Sequence, residues 1–576
     1  FGSSLELNVS CSDGAGTRGT GDMSDKAARL KTLTRHVKAL DSTPDLEDLA
    51  QRAWPDQNCG SNCGCSVSPA STAAAAAVPE TPLAAMTWPR NQPVKQPEIV
   101  TAEDFIESLR GRDIKVILQG ELIKEFVDHP IVWPSVNAMA ESYRLAMENP
   151  ELGSAVGFSG YRMSRFLHIC ESADDLVMQS QMQRELGRRT GTCFQRCVGQ
   201  DASNAMWSTT YDIDQKHGTK YHARFMEFMK MAQSKNLVLG GAMTDVKGDR
   251  SLNPSEQPDP DMFVRVAERK PDGGVVLRGC KAHQTGNLNS HWMIIMPGGK
   301  MEKADKDYAI ACAVPVDAPG LTYIYGRQSC DLRAMEPGDI DQGNAKFGGQ
   351  ETLTCFEDVY VPPEYVFMDG EVDFTQTLVE RFTAYHRRSY VCKAGLGDVM
   401  LGAAATVADY NGVAKASHIK DKLVEIAYLN ENIAGTAMAS SYGGQATPSG
   451  NFLPDVMMAN ICKHNVTKLP YEIARLAQDL AGGIIVTLPA DKEFRNEVAA
   501  PLLEKYLKGK KGVTVENRRR ILRLIENMTM GRNAVGYLSE SLHGAGSPQA
   551  QRVLIQRLFD LETKKRLAKN LAGIVE

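Results

Sequence analysis

Two cysteines stand four residues apart in Cys193-Phe-Gln-Arg-Cys197. On a helix that spacing puts both sulfurs on one face, within reach of a single metal centre. Arg196 beside them favours thiolate over thiol. A second pair, His386 and Cys392 in AYHRRSYVCK, has Arg387, Arg388 and Lys393 as cationic neighbours. Together the two segments offer three thiolates and one imidazole, enough for a tetranuclear iron–sulfur cluster with one unusual ligand. Spacing alone does not bring the segments together. The bland alternative for any one cysteine is a small buried apolar side chain, as expected of Cys312 in YAIACAVPV.

Further polar segments have chemical potential. The loop GGAMTDVKGDR, Gly240 to Arg250, has backbone donors and basic side chains suited to phosphates or a cofactor's ring edge; its alternative is a surface turn. KAHQTGNLNSH, Lys281 to His291, is dense in hydrogen-bonding groups at the end of a strand. Leu480-Ala481-Gly482-Gly483 allows a backbone to approach a ligand closely, or simply caps a helix. Glu540, in SESLHGAGSPQAQR, sits beside a glycine-rich break where a carboxylate can enter a cleft as acid or base. Most such glutamates are solvated caps. Cys59, Cys63 and Cys65 in NCGSNCGCS lack a paired second metal-binding cluster.

The elements that must position these groups follow from the chain as a whole. Its 576 residues predict three or four domains. With 43% hydrophobic and 23% charged residues it reads as an ordinary soluble globular protein. A net charge of −5 gives no support to nucleic-acid or membrane-surface partners, and no window holds the ~18 consecutive apolar residues of a spanning helix. Thirteen cysteines are too dilute and too odd in number for a disulfide scaffold. They point to a reducing compartment, the cytoplasm or an organelle matrix.

Residues 1–97 include SDGAGTRGTG, the run Ala73–Ala77 and a proline-dotted stretch, and read as a low-complexity, disordered extension without the apolar core of a secretory signal. From Thr101 a capping box with Asp104 opens a helical region spanning 98–235. Between 236 and 373 the pattern is strand-like: VRVAER and GGVVLRGC flank the turn Pro271-Asp272-Gly273, and WMIIMP, YAIACAVPV and LTYIYG follow. Helical periodicity returns over 374–576. The expected fold is α+β, with an N-terminal helical domain, a central β-barrel-like domain and a C-terminal helical bundle. This order is the layout of acyl-CoA dehydrogenases.

Long stretches carry a closer resemblance: CFQRCVG, STTYDIDQK, GAMTDVKGDR, KAHQTG, YGRQSCD, FGGQE, ADYNG, KASHIKDKL and HGAGSPQAQR. From about Thr101 to Ile574 the chain resembles the 4-hydroxyphenylacetate 3-hydroxylase family and, within it, the 4-hydroxybutyryl-CoA dehydratases. The resemblance implies a homotetrameric enzyme acting on an acyl-CoA. Its reaction would be the radical dehydration of 4-hydroxybutyryl-CoA to crotonyl-CoA with FAD and a [4Fe-4S] cluster, accompanied by vinylacetyl-CoA Δ-isomerase activity.

It further implies that Cys193, Cys197, His386 and Cys392 ligate the cluster, with His386 on the reactive iron. Met243, Thr244 and Thr285 would line the FAD site, and Ala481, Gly482 and Gly483 would hold the dinucleotide across a subunit contact. Gln195, Glu351, Tyr390, Lys393 and Glu540 match positions around the substrate, with Glu540 and His386 as the acid/base candidates. In the family pattern six residues separate the histidine from the third cysteine, whereas five do here. On a continuous helix that deletion rotates Cys392 by ~100° about the axis. Two other readings stand beside this one: a reduced-flavin-dependent aromatic monooxygenase, the family's other branch, which needs no cluster, and a non-catalytic scaffold.

Overall fold

The computed structural model of the chain describes residues 92–574. Cys59, Cys63 and Cys65, with nearly all of the low-complexity extension, lie outside the described residues. Lys95 already belongs to the folded chain: its backbone bonds to Gly160 and Arg162.

Helix α1 (Ala102–Ser108) opens with the expected capping box, in which the Asp104 amide donates to Thr101 Oγ1 at 3.0 Å and the Thr101 amide to Asp104 Oδ2 at 2.8 Å. Strands β1 (Val116–Leu118) and β2 (Glu121–Ile123) follow. Three residues each are too few for alternation to show in sequence. Helix α2 (Trp133–Glu148) precedes the hairpin β3 (Ser154–Val156) and β4 (Arg162–Ser164). Helix α3 (Ala173–Thr190) has a Ser172–Asp175 capping box and ends at left-handed Gly191. Helices α4 (Cys197–His217) and α5 (Tyr221–Lys235) complete this part.

The central strands are β5 (Leu239–Ala242), β6 (Arg265–Arg269), β7 (Val275–Thr285), β8 (Trp292–Ile295), β9 (Ile310–Pro315), β10 (Leu321–Tyr325), β11 (Glu351–Val361) and β12 (Val366–Asp369). The expected β6–β7 hairpin is present, with Arg269 paired to Val275 and Gly273 at φ +87° in its turn, a conformation that favours glycine. The strands form a six-stranded sheet ordered β2-β1-β10-β11-β7-β6 and a four-stranded sheet ordered β12-β9-β8-β5. The barrel-like expectation is therefore corrected: among the described residues these sheets are open. Closure would require the edge strands β2 and β6 to pair, and β2 is a three-residue strand with Glu121 and Leu122 exposed. The sheets meet instead where Asp245, just beyond β5, bridges to Lys281 on β7.

Helices return as α6 (Val372–Ser389), α7 (Cys392–Tyr410), α8 (Ser417–Tyr442), α9 (Val456–Val466), α10 (Leu469–Ala481) and α11 (Val515–Thr529). The run Val372–Tyr410 is long and apolar enough by composition to cross a membrane, but 67% of its apolar window is buried inside the protein. That is the position of core helices. One hydrophobic core joins the N-terminal helices to both sheets and the start of α6, through residues such as Phe105, Trp207, Ile294 and Phe382. A second, containing Leu396, Met400, Ile473 and Leu522, joins the C-terminal helices. A small cluster of Leu186, Phe194, Cys197 and Cys392 brings the chemistry-bearing segments together.

Candidate active site

The Cys193–Cys197 segment is not one helix, which corrects the sequence expectation. Gln195 takes a left-handed φ of +67°, so Cys193 lies in a loop and only Cys197 begins α4. Arg196 turns away from the sulfurs: its guanidinium stacks on Tyr143 and Phe166 and donates to Ser142 Oγ at 2.8 Å. Cys392 also begins a helix. The chain leaves α6 after Ser389, passes through Tyr390 and Val391, and restarts as α7. The five residues between His386 and Cys392 thus span a break between two helices.

Cys193, Cys197 and Cys392 are all buried, and none forms a disulfide. A thiol hydrogen bond to Cys392, reinforced by burial, holds Cys197 protonated well above the usual range and draws Cys392 below it. Cys193 is raised by burial and then by Glu540, whose Oε1 accepts from its sulfur at 3.7 Å. Gly536 lies against Cys193, where a Cβ would stand 3.2 Å from the cysteine Cβ. Among the described residues no group of three or more His, Cys, Asp or Glu side chains is arranged to hold one metal ion.

Beside the thiols is a charged group. Lys393 Nζ donates to Glu540 Oε2 at 3.0 Å, the lysine side chain being 1% exposed. Burial opposes the lysine's charge, but Glu540 and the neighbouring thiols raise its pKa overall. Glu540 directly follows a π-helical turn, Val535–Ser539, a feature often found at functional sites. Glu351 is raised well above the usual carboxyl range by burial and then by the charge of Glu540. Burial and the neighbouring carboxylate thus favour the neutral form of Glu351, while Glu540 faces a lysine.

His386 Nδ1 bonds Asp201 Oδ2 at 2.8 Å, and Asp201 also accepts from Ser389 Oγ at 2.9 Å. Asp201 lies one helical turn after Cys197 and influences both Cys197 and Cys392 electrostatically. It therefore links the histidine to the thiols. Tyr390 OH donates to the Glu540 carbonyl at 3.3 Å, and its ring carries Lys463 Nζ at 4.2 Å from the centroid. Lys463 is wholly buried and donates to the Ser541 carbonyl. Burial, then repulsion from Lys393, lowers its pKa to about 7.

The expected flavin residues Met243 and Thr244 lie beside the end of β7: Thr244 O accepts from the Ala282 amide at 2.8 Å, and Met243 O from Lys281 Nζ at 2.9 Å. Lys281 is buried and pairs with buried Asp245 at 2.9 Å, anchoring this loop. Thr285, at the end of the same strand, donates to the Glu351 carboxyl, 2.8 Å from each oxygen. Hydrogen bonding thus runs from Thr285 to Glu351, and electrostatic coupling from Glu351 to Glu540 and Lys393.

Gln195, beside Cys193 and Gly286, and the Ala481–Gly483 stretch complete the expected residues. Gln195 is buried and donates to the Ser135 and Gly348 carbonyls, each at 3.2 Å, so its amide serves the loop. Ala481 is buried in the C-terminal core, while Gly482 and Gly483 are exposed with open space around them. Gly482, at φ +74° and ψ 177°, caps α10, and its amide donates to Gln478 O. The sequence reading missed Asp201, Lys463 and the Lys281–Asp245 pair. Asp201 had a legible signal, a carboxylate four residues after Cys197 on the same helix face. Lys463 shares a buried face with Ala459 and Val466, so a lysine in an apolar stripe was the available clue.

The family model for the N-terminal part of 4-hydroxyphenylacetate 3-hydroxylase matches residues 101–368, and that for the C-terminal part matches 375–573. The chain belongs to the 4-hydroxyphenylacetate 3-hydroxylase family. Within it, the chain is 50% identical over 490 residues to 4-hydroxybutyryl-CoA dehydratase/vinylacetyl-CoA-Δ-isomerase of Clostridium aminobutyricum, covering 83% of this chain and 100% of that protein. The solved oxygen-tolerant archaeal 4-hydroxybutyryl-CoA dehydratase from N. maritimus is 63% identical, with a TM-score of 0.82 over 83% of this chain and 96% of that one. The chain is an enzyme of this dehydratase/isomerase group. The FAD-complexed oxygenase component of 4-hydroxyphenylacetate 3-monooxygenase, at 21% identity, shares the fold with a TM-score of 0.71, covering 82% of this chain and 98% of that one.

Proposed function

We propose that the enzyme dehydrates 4-hydroxybutyryl-CoA to crotonyl-CoA by a radical route using FAD and a [4Fe-4S] cluster, and interconverts vinylacetyl-CoA and crotonyl-CoA. The observation that carries this reading is the convergence of three buried, disulfide-free thiols on the Lys393–Glu540–Glu351 group. The donor set suits a cluster: three cysteines and a histidine whose Nδ1 is held by a carboxylate, an outer-shell support typical of metal-bound imidazoles. Cys193, Cys197, Cys392 and His386 would be its ligands. For the flavin, Met243, Thr244 and Thr285 share one strand end. Next to Glu351, Gln350 has both side-chain amide atoms buried without a partner, which suits a polar ligand edge. The two groups, when bound, would supply one-electron chemistry and a Lewis-acidic iron.

The chain's own residues account for the proton movements. Isomerisation takes a proton from C2 of vinylacetyl-CoA and returns one to C4. Glu540 is placed to carry it, while the Lys393 ammonium offers its charge to the thioester oxygen as negative charge develops there. Glu351, kept neutral, is a proton donor on the flavin side. Asp201, by holding His386 Nδ1, leaves Nε2 as the nitrogen that would bind iron and, when free of it, would act as a second base. Dehydration removes hydrogens from C2 and C3 and the hydroxyl from C4, and returns a proton to C4; the same acids and bases serve it. A homotetramer is supported by apolar side chains exposed on the C-terminal helices, with Val486 80%, Tyr506 69% and Leu571 92% exposed.

The test is protein prepared without oxygen, analysed for iron, sulfide and flavin, and assayed with vinylacetyl-CoA and 4-hydroxybutyryl-CoA. Cys193→Ala should lose iron and dehydration while keeping its folded, oligomeric state. Iron-free wild-type protein would overturn the cluster. Hydroxylation of a phenol without acyl-CoA turnover would move the chain to the monooxygenase branch.

A further inference from the structure

A cavity of about 450 Å³ lies between α6 and the helix Pro548–Leu558. It is lined from α6 by Gln376, Val379, Glu380, Thr383 and Arg387, one stripe at helical spacing. The ends of that stripe are eleven positions apart, so the groove runs roughly 16 Å along α6. Its two ends differ. At the inner end Arg387 is 3% exposed; Nε donates to the Ala545 carbonyl at 3.0 Å and Nη1 to Asn460 Oδ1 at 2.5 Å. Its Nη2 makes no hydrogen bond among the described residues, although the guanidinium is almost completely buried and lines the cavity.

This inner end adjoins the catalytic group. The turn that accepts from Arg387 contains left-handed Ala545 and Gly546. It begins at Gly544, where a Cβ would stand 1.7 Å from Tyr390 OH. At the outer end are two exposed cations. The Met301 amide bonds Thr375 Oγ1, which places Lys300 beside Gln376, and Arg557 lies 3.7 Å from Glu380. Lys300 also pairs with Glu302 at 3.0 Å. Both cations are more than half exposed, so these pairs are weak and readily exchanged for another anion.

We propose that this groove takes the coenzyme A arm of the substrate, with Lys300 and Arg557 receiving the nucleotide phosphates and Arg387 Nη2 meeting a pantetheine carbonyl near the thioester. The inference rests on the acyl-CoA reading above and assigns the part of the molecule that reads the carrier. The geometry suits that ligand: an open groove, apolar on one side through Val553 and Leu554, with a buried donor at its inner end and, at its mouth, two exposed cations whose carboxylate partners Glu302 and Glu380 a phosphate would have to displace.

The experiment uses the flavin- and iron-replete holoenzyme, with vinylacetyl-CoA compared against vinylacetyl-pantetheine, which lacks the nucleotide. Lys300→Ala/Arg557→Ala should raise KM for vinylacetyl-CoA about tenfold or more at unchanged kcat and leave the pantetheine thioester as in wild type. Ala550→Trp, which fills the groove, should raise KM for both. Calorimetry with free coenzyme A gives a readout independent of turnover: the double variant should bind about tenfold more weakly. Wild-type affinity for coenzyme A in both variants overturns the proposal, as does an equal loss with both thioesters in the double variant. If wild-type enzyme binds coenzyme A through these residues yet turns over no acyl-CoA, the groove assignment stands and the reaction assignment fails.

Discussion

Lys393 and Glu540 face each other at 3.0 Å across the junction of α7 and the π-helical turn, the lysine side chain 1% and the glutamate 17% exposed. A pair so little solvated holds its geometry more firmly than a surface pair and leaves an uncompensated buried charge when one partner is removed. The partial exposure of Glu540 is what a proton carrier needs, whereas the buried lysine has a fixed electrostatic task.

Glu540→Gln keeps the shape and hydrogen-bonding reach of the side chain but removes the titratable group. Loss of a general acid/base lowers rates by about 10²–10⁴-fold, so isomerisation of vinylacetyl-CoA should fall by that order in folded protein with normal flavin content. Isomerisation tests proton transfer apart from hydroxyl departure. A wild-type isomerisation rate in this variant would remove Glu540 from the role of base.

Lys463 makes stability depend on pH. It faces Lys393, Arg387, Glu540 and Cys462, beneath the ring of Tyr390, and its pKa is lowered by burial to about 7. The unfolded chain keeps this proton up to about pH 10.4, while the folded protein releases it above about 7. The unfolded state therefore binds more protons between those values, and stability should rise as pH increases from 7 towards 10. Lys463→Met should flatten that rise when thermal midpoints are compared from pH 6.5 to 9.5. Parallel curves for the two proteins would refute the assignment.

Thr285→Val removes the hydroxyl that donates to Glu351. Loss of a partner for a buried polar group costs about 1–3 kcal/mol. The expected result is reduced flavin retention or a changed flavin potential in folded protein, read by absorbance after gel filtration. Unchanged flavin content and potential would place the cofactor away from this strand end.

Cys355 and Cys280 are cross-strand partners on β11 and β7, with sulfurs 3.6 Å apart. The hydrogen bond between the two sulfurs lowers the Cys355 pKa to about 7, and both residues are partly exposed. Iodoacetamide at neutral pH should therefore label Cys355 ahead of the buried Cys170, Cys312 and Cys462, whose thiols burial raises. Peptide mass spectrometry over time gives the order; earlier labelling of a buried thiol would contradict it.

The sequence by itself determined that the chain mixes helices and strands, and it determined the Thr101 capping box and the β6–β7 hairpin, because caps, turns and periodicity are local properties of the chain. It also nominated the thiols, Lys393 and Glu540 through short motifs. Tertiary structure decided which groups meet. Left-handed Gln195 took Cys193 off the helix, and a break at Tyr390–Val391 put His386 and Cys392 on two different helices. Asp201 and His386 are 185 residues apart in the chain, as are many of the site's partners, and no periodicity encodes such a meeting. The open sheets depend likewise on strand pairing at the edges. Lys463 acquired its lowered pKa only through burial beside other cations, and the groove beside Arg387 exists only because two distant helices run past each other.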